Sequence, residues 1–154
     1  MKYAALMESP VGLLTLVEED GALVEVRFGN RGEELPVCTT PLLKQAVQEL
    51  NEYFSGQRKI FTVPLKPEGT AFQQRCWKAL QQIPYGETRT YGQQAAMIGN
   101  PKACRAVGMG NHRNPLPIFI PCHRVVGANG ELTGYAGGLH IKETLLHIER
   151  MNTV

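Results

Sequence analysis

The sequence predicts an α/β protein of the α+β type, with a small N-terminal α/β domain over residues 1–66 and a mainly helical C-terminal domain over residues 67–154. The first thirty residues alternate apolar and polar side chains in three short runs separated by turn sequences, which is typical of an antiparallel β-meander. Helical periodicity takes over after the turn-forming "KPEG" at 66–69. The composition, 43% hydrophobic and 19% charged, is that of a globular protein.

The N-terminal elements follow in chain order. Strands are predicted at "KYAALME", "GLLTLVEE" and "ALVEVRF", with "SPVG" and "EDG" as turns. A helix follows over "TPLLKQAVQELNEYFSG", capped by Thr40 and ended by Gly56, because its apolar residues recur on one face. "IFTVPL", residues 60–65, predicts a fourth strand before the domain boundary.

The C-terminal elements are predicted to be mostly helices. "TAFQQRCWKALQQIP" predicts a helix capped by Thr70. Next come a short helix over 91–98, a Gly-Asn turn and a second short helix with Pro101 in its first turn. This arrangement suits a winged-helix-like helix-turn-helix, and an ordinary helical hairpin fits it equally well. "RVVGANGEL" predicts a β-hairpin, and "HIKETLLHIERM" predicts the last helix.

The charge is divided unevenly along the chain. Residues 1–65 hold six Lys/Arg and nine Asp/Glu, a net charge of −3, whereas residues 66–154 hold ten and five, a net charge of +5. A basic C-terminal half indicates a polyanionic partner. No apolar run approaches the length of a membrane span, and Glu8 and Pro10 interrupt any signal-peptide core, so we expect a cytoplasmic, intracellular protein.

The four cysteines are widely spaced and form no C-x-x-C pair, so free thiols are expected and a structural metal site is not.

Cys122 stands out in "PIFIPCHRVV". It is either a reactive thiol, activated by neighbouring His123, or a buried core thiol. Adjacent residues on a strand face opposite ways, so the two side chains can cooperate only through a turn or a bridging water. Glu143 and Glu149 are the carboxylates that could orient the imidazole.

"PCHRVV", preceded by "RNPLPIFI" and followed by "GYAGGLHIKETLLHIE", resembles the active-site segment of the O6-alkylguanine-DNA alkyltransferases, the methylated-DNA–protein-cysteine methyltransferases. The resemblance continues upstream through "FQQRCWKALQQIPYGETRTYGQQAAMIGNPKACRAVG" and covers nearly all of residues 70–150. Residues 1–65 resemble the family's N-terminal domain only in layout.

The resemblance implies a catalytic set. Cys122 would accept the alkyl group from O6 of guanine once and irreversibly, and His123 would withdraw the thiol proton through a water polarised by Glu149, which is preferred to Glu143. Tyr91 would donate a proton to guanine N3, and Asn114 would brace the turn that holds the site. No cofactor or metal is implied, because the damaged DNA is the alkyl donor.

The resemblance also implies how the substrate is held. The carbonyls of Cys122 and Val125 would read the exocyclic amine of the base, and the loop around Tyr135 and Ala136 would form a lid. Some family members have Ser where this chain has Ala136, so a hydroxyl contact is lost here. O4-alkylthymine stays open as a second substrate.

The implied partner is double-stranded DNA containing O6-alkylguanine, bound in the minor groove by a monomer with the damaged base flipped out. Arg105 would fill the space that the base leaves. The further DNA-binding residues would be Lys102, Ala106 and Arg124.

Two other functions remain to be weighed. The first is a lesion-recognition protein or transcription regulator without transfer; a related group of lesion-binding proteins has this fold with Trp in place of the Cys, so Cys122 opposes that function. A Cys-His-Glu acyl hydrolase would leave Arg105 and the basic helix pair unexplained.

Overall fold

The computed structural model describes residues 1–32 and 34–153. The chain divides into two compact units, Met1–Glu68 and Gly69–Val154. Each unit has its own packed core.

The first unit contains an antiparallel three-stranded sheet in the order β1 (Lys2–Met7), β2 (Leu14–Glu19), β3 (Ala22–Phe28). Helix α1 (Pro41–Phe54) packs against this sheet. Its N-terminus is capped by Thr40, whose side chain accepts a hydrogen bond from the amide of Leu43. The predicted meander and helix are confirmed.

The predicted strand over residues 60–65 is wrong. This segment makes only one isolated bridge, between Leu65 and Leu23. The buried carboxylate of Glu49 accepts hydrogen bonds from the amides of Thr62 and Val63 at 2.9 and 3.2 Å, and Pro64 has no amide hydrogen to donate. These backbone groups are therefore not available to extend a strand ladder.

The second unit is mainly helical. Its helices are α2 (Ala71–Leu80), α3 (Tyr91–Met97), α4 (Cys104–His112) and α5 (Leu139–Met151). Both α2 and α3 begin with a capping box, in which Thr70 pairs with Gln73 and Thr90 pairs with Gln93. No helix in the two described ranges has the length and apolar character needed to cross a membrane.

The predicted pair of short helices is present as α3 and α4, which pack against each other across a turn with Gly99 at φ 80°. The start of the second helix differs from the prediction. Pro101 and Lys102 lie in a closed turn, in which the amide of Ala103 donates to the carbonyl of Asn100, and α4 begins two residues after Lys102.

The predicted hairpin at "RVVGANGEL" is also wrong. The buried β5 (Val125–Val126) instead pairs in parallel with β4 (Arg89–Thr90), just before α3. A tight loop follows β5, closed by hydrogen bonds from Gly127 to Glu131 and from Gly130 to Gly127. The two valines therefore tie the segment after Cys122 to the start of α3.

Helices α2, α3 and α4 pack closely because small and polar residues lie at their contacts. A Cβ on Gly110 would lie 2.9 Å from the Sγ of Cys76, and the indole of Trp77 donates to the Gly110 carbonyl at 2.9 Å. The side-chain amides of Gln94 and Asn111 bond each other reciprocally at 2.9 and 2.7 Å. These contacts fix α4, which forms one wall of the cavity described next.

Candidate active site

Cys122 lies in a single 3-10 turn, Cys122–Arg124, rather than at the end of a strand. The amide of Cys122 donates to Ile120, and the amide of Arg124 donates to Pro121. Strand alternation therefore does not separate the thiol from the neighbouring imidazole. The chain reaches this turn through Ile118, whose φ of 76° is rare for a β-branched residue.

Asn114 holds the loop that leads to the thiol. Its Oδ1 accepts from the amide of Leu116 at 2.9 Å, and its Nδ2 donates to the carbonyl of Ile120 at 2.8 Å. These two bonds span the strained Ile118. The same Nδ2 lies 3.3 Å from the Sγ of Cys122, to which it donates. One buried amide thus closes the loop and contacts the sulfur.

A buried charge cluster lies behind the thiol. Glu149 of α5 is 1% exposed and His123 is fully buried. One carboxylate oxygen of Glu149, Oε2, lies 2.6 Å from Nε2 of His123. The other, Oε1, accepts from Nε of Arg124 at 2.8 Å and from the amide of Gly86 at 3.1 Å. Both oxygens of this carboxylate are therefore used inside the protein.

The prediction that Arg124 binds DNA is wrong. Its guanidinium is buried, with Nε and Nη2 donating to Glu149 and Nη1 donating to the carbonyl of Ile83 at 2.7 Å. All three guanidinium nitrogens therefore donate to groups inside the protein, and the side chain does not reach the surface where a phosphate would bind. Arg124 therefore holds Glu149 in place.

The electrostatics of the cluster favour one protonation state. Burial raises the pKa of Glu149, but the hydrogen bonds from His123 and Arg124 and the charge of the Arg124 guanidinium outweigh it and hold that pKa well below its usual range. The pKa of His123 is lowered, chiefly by burial and also by the charges of Arg124 and Lys142, against the raising effect of Glu149. An ionised carboxylate can only accept, so Nε2 of His123 carries the hydrogen and a neutral ring leaves Nδ1 as an acceptor.

The remaining nitrogen of the imidazole is the reactive end of the cluster. Nδ1 of His123 is buried and has no hydrogen-bond partner among the described residues. Burial also raises the pKa of Cys122 to about 11, against the hydrogen bond from Asn114. A thiol with a raised pKa needs a base to form the reactive thiolate, and Nδ1 of His123 in the same turn has a free lone pair for this purpose.

The thiol opens into a cavity of about 320 Å³. Its walls bring together four of the residues predicted from the sequence, Cys122, Tyr91, Tyr135 and Ala136, with Gly108, Met109, Asn111, His112 and Gly134. Val125 is buried one turn away, and its amide donates to the carbonyl of Cys122. No group of three or more His, Cys, Asp or Glu side chains within the described residues could hold a metal ion.

The four residues predicted to bind DNA, Arg124 included, are not among those that line the cavity. Arg105 and Ala106 are exposed on α4, and Lys102 is exposed in the turn before it.

Sequence reasoning missed Thr133 and Lys142. Lys142 is fully buried and donates from Nζ to the carbonyl of Thr133 at 2.8 Å, while the hydroxyl of Thr133 lies 2.8 Å from that of Tyr91. Helical spacing could have predicted that Lys142 is buried. It lies three residues before Leu145 and seven before Glu149, on the same buried face of α5.

Together these features define a single-thiol transferase site attached to a basic helix pair. Residues 71–151 match the family model described as the 6-O-methylguanine DNA methyltransferase DNA binding domain, and residues 2–67 match its ribonuclease-like domain. The chain therefore belongs to the methylated-DNA–protein-cysteine methyltransferase family, as the sequence predicted.

Individual relatives agree over their full lengths. A methylated-DNA–protein-cysteine methyltransferase of Methanosarcina acetivorans is 53% identical over 96% of this chain and 97% of its own. The constitutive enzyme of Bacillus subtilis is 47% identical over 99% and 98%. Among solved structures, the Mycobacterium tuberculosis O6-methylguanine methyltransferase matches with a TM-score of 0.91 at 44% identity, covering 100% of this chain and 96% of that one. The M. tuberculosis OGT in complex with DNA matches with a TM-score of 0.90 at 45% identity, covering 97% and 94%.

The Glu149 cluster leads to a stability prediction. Glu149→Ala leaves a guanidinium and an imidazole N–H buried without their acceptor, so we expect the free energy of unfolding to fall by about 3–5 kcal/mol. Urea unfolding followed by circular dichroism measures the loss. Glu143→Ala is the matched control, since Glu143 is an exposed carboxylate on the same helix and its removal should change stability by less than about 0.5 kcal/mol. Equal effects of the two substitutions would contradict the buried role of Glu149.

Proposed function

We propose that this protein repairs DNA by transferring the alkyl group of O6-alkylguanine directly and irreversibly to its own Cys122. The observation that carries the proposal is a cavity with Cys122 on its wall and the Glu149–His123 pair behind it. Its volume is at the lower end of the range of about 300–1,000 Å³ that is usual for small-molecule sites. A flipped base is a substrate of this class.

In the proposed reaction, Sγ of Cys122 attacks the alkyl carbon in line with the C–O6 bond. The S–C bond forms as the C–O6 bond breaks, and its electron pair leaves with the purine. The thiol proton passes through a water to Nδ1 of His123, which the Glu149 carboxylate stabilises as an imidazolium. Support for this route is the buried Nδ1 and the ionised carboxylate on the opposite nitrogen.

Two further residues would complete the chemistry. Tyr91 lies on the cavity wall and would give its phenolic proton to guanine N3, so that the base leaves as neutral guanine. Asn114, which already donates to Sγ, would stabilise the developing thiolate. No step restores the thiol from the thioether, so each molecule acts once.

The substrate contacts are assigned by the same reasoning. The carbonyls of Cys122 and Val125 would accept from the exocyclic amine of guanine, and Tyr135 with Ala136 would cover the base as a lid. Tyr135 and Ala136 both line the cavity, which supports their assignment. O4-alkylthymine lacks that amine, so the same pocket would hold it with fewer contacts.

The partner would be duplex DNA, approached from the minor groove by a monomer. Arg105 would enter the stack where the base had been, Lys102 would neutralise a phosphate, and the small Ala106 would let α4 approach the backbone. The exposure of all three residues supports this arrangement. Repair of chromosomal DNA would place the protein inside the cell.

Transfer is tested by mass. After incubation with duplex DNA that carries one O6-methylguanine, we expect the intact protein to gain the mass of one methylene group, mapped to Cys122 by peptide sequencing. Cys122→Ser should gain nothing. The exposed Cys104 is an internal control for non-specific alkylation and should stay unmodified. An unchanged mass despite lesion binding, or a label on Cys104, would contradict the proposal.

The role of Arg105 is tested by comparing two substrates. Arg105→Ala should lower the transfer rate from duplex DNA by about tenfold or more, because the flipped state loses the side chain that fills the gap. Transfer from the free base O6-methylguanine should be nearly unchanged. Arg150→Ala removes the same charge from an exposed site on α5 and is the matched control. Equal losses on duplex and free base would exclude the stack-filling role.

A further inference from the structure

Thr133 is held at three points beside the proposed proton donor. Its Oγ1 lies 2.8 Å from the hydroxyl of Tyr91, and its carbonyl accepts from the buried Nζ of Lys142 at 2.8 Å. Its methyl group faces Gly127, where a Cβ would come within 3.4 Å of it. A β-branched side chain has few χ1 rotamers, so these contacts fix the direction of the Thr133 hydroxyl.

The position of Tyr91 depends on the same contact. Its ring lies over Gly108 of α4, where an added Cβ would be 3.7 Å away in ordinary contact, and this packing leaves the hydroxyl end to be oriented by a polar partner. The hydroxyl of Thr133 is the polar partner that the structure gives to the hydroxyl of Tyr91. Thr133 therefore sets where the phenolic oxygen lies on the cavity wall.

We propose that Thr133 is a positioning residue for alkyl transfer, whose hydroxyl orients Tyr91 and stabilises the phenolate that remains when Tyr91 protonates the leaving guanine. This inference rests on the function proposed above. Thr133 touches neither the alkyl group nor the thiol, and it acts through Tyr91.

The proton transfer determines which of the two hydroxyls donates the hydrogen bond between Tyr91 and Thr133. As the C–O6 bond breaks, the Tyr91 proton moves to N3 and the O–H electron pair stays on the phenolic oxygen. The Thr133 hydroxyl donates to that oxygen, since a hydroxyl can both donate and accept. Its hydrogen bond becomes charge-assisted in the transition state, where it is stronger than in the ground state. The phenolate then takes a proton from water, and the proton held on His123 is released to water.

Thr133→Val removes the hydroxyl and keeps the methyl group and the branching. We expect it to lower the single-turnover rate of methyl transfer from O6-methylguanine DNA by about 10- to 100-fold, the usual effect of losing a hydrogen bond to a charged group. Thr133→Ser restores the hydroxyl and should recover most of that rate. In a Tyr91→Phe background, Thr133→Val should cause no further loss, because the group it acts on is absent.

A second alkyl donor separates this role from a structural one. Methyl iodide releases iodide, a leaving group that needs no proton. Methyl iodide should therefore methylate Cys122 equally fast in Thr133→Val and in the unaltered protein, as measured on the peptide that contains Cys122. Equal slowing with both donors, a further loss in the Tyr91→Phe background, or failure of Thr133→Ser to recover the rate would each overturn the proposal. Failure of the proposed function itself would look different, since the unaltered chain would then take no methyl group from the DNA.

Discussion

The buried carboxylate of Glu149 is the constraint on which the rest of the site depends. It joins α5 to the 3-10 turn through His123 and Arg124, and to the loop between α2 and β4 through the Gly86 amide. Arg124 extends the link to the Ile83 carbonyl. A carboxylate at 1% exposure is costly unless its charge and lone pairs are satisfied, and here both oxygens have several donors. The three segments therefore keep the geometry in which the carboxylate is satisfied, and that geometry also fixes the imidazole.

The same constraint explains how an unreactive thiol could be used once. Burial raises the pKa of Cys122 to about 11, so the resting protein holds it as a thiol. In the proposed reaction, Nδ1 of His123 is an oriented acceptor that would take this proton as Sγ attacks the alkyl carbon. Arg124 and Asn114 hold this arrangement in place: Arg124 fixes the carboxylate, and Asn114 fixes the loop that carries the sulfur. On the leaving-group side, we propose that Thr133 orients Tyr91 as Glu149 orients His123.

Much of the fold could be predicted because local signals carried it. The meander, α1, α2 and α5 follow from alternation, helical periodicity and capping residues such as Thr40 and Thr70.

The wrong predictions have a common cause, because each of these segments is placed by partners that are distant in sequence. Residues 60–65 bond to Glu49, Val125–Val126 pair with Arg89–Thr90, and Arg124 turns inward to Glu149. No local pattern distinguishes a buried arginine from one that faces DNA. The family resemblance supplied Cys122, His123 and Glu149 as a set, and geometry added Thr133 and Lys142.

The tautomer of His123 tests the central claim most directly. Nitrogen-15 NMR of the labelled protein distinguishes the two neutral imidazole forms and the imidazolium by their ring-nitrogen shifts. The account predicts a neutral ring near pH 7 with the hydrogen on Nε2, facing Glu149, and with Nδ1 unprotonated; Glu149→Gln should alter the His123 signals, whereas Glu143→Gln should not. A hydrogen on Nδ1, or a ring that stays fully protonated to pH 8, would contradict it, because neither form leaves Nδ1 free to take the proton of Cys122.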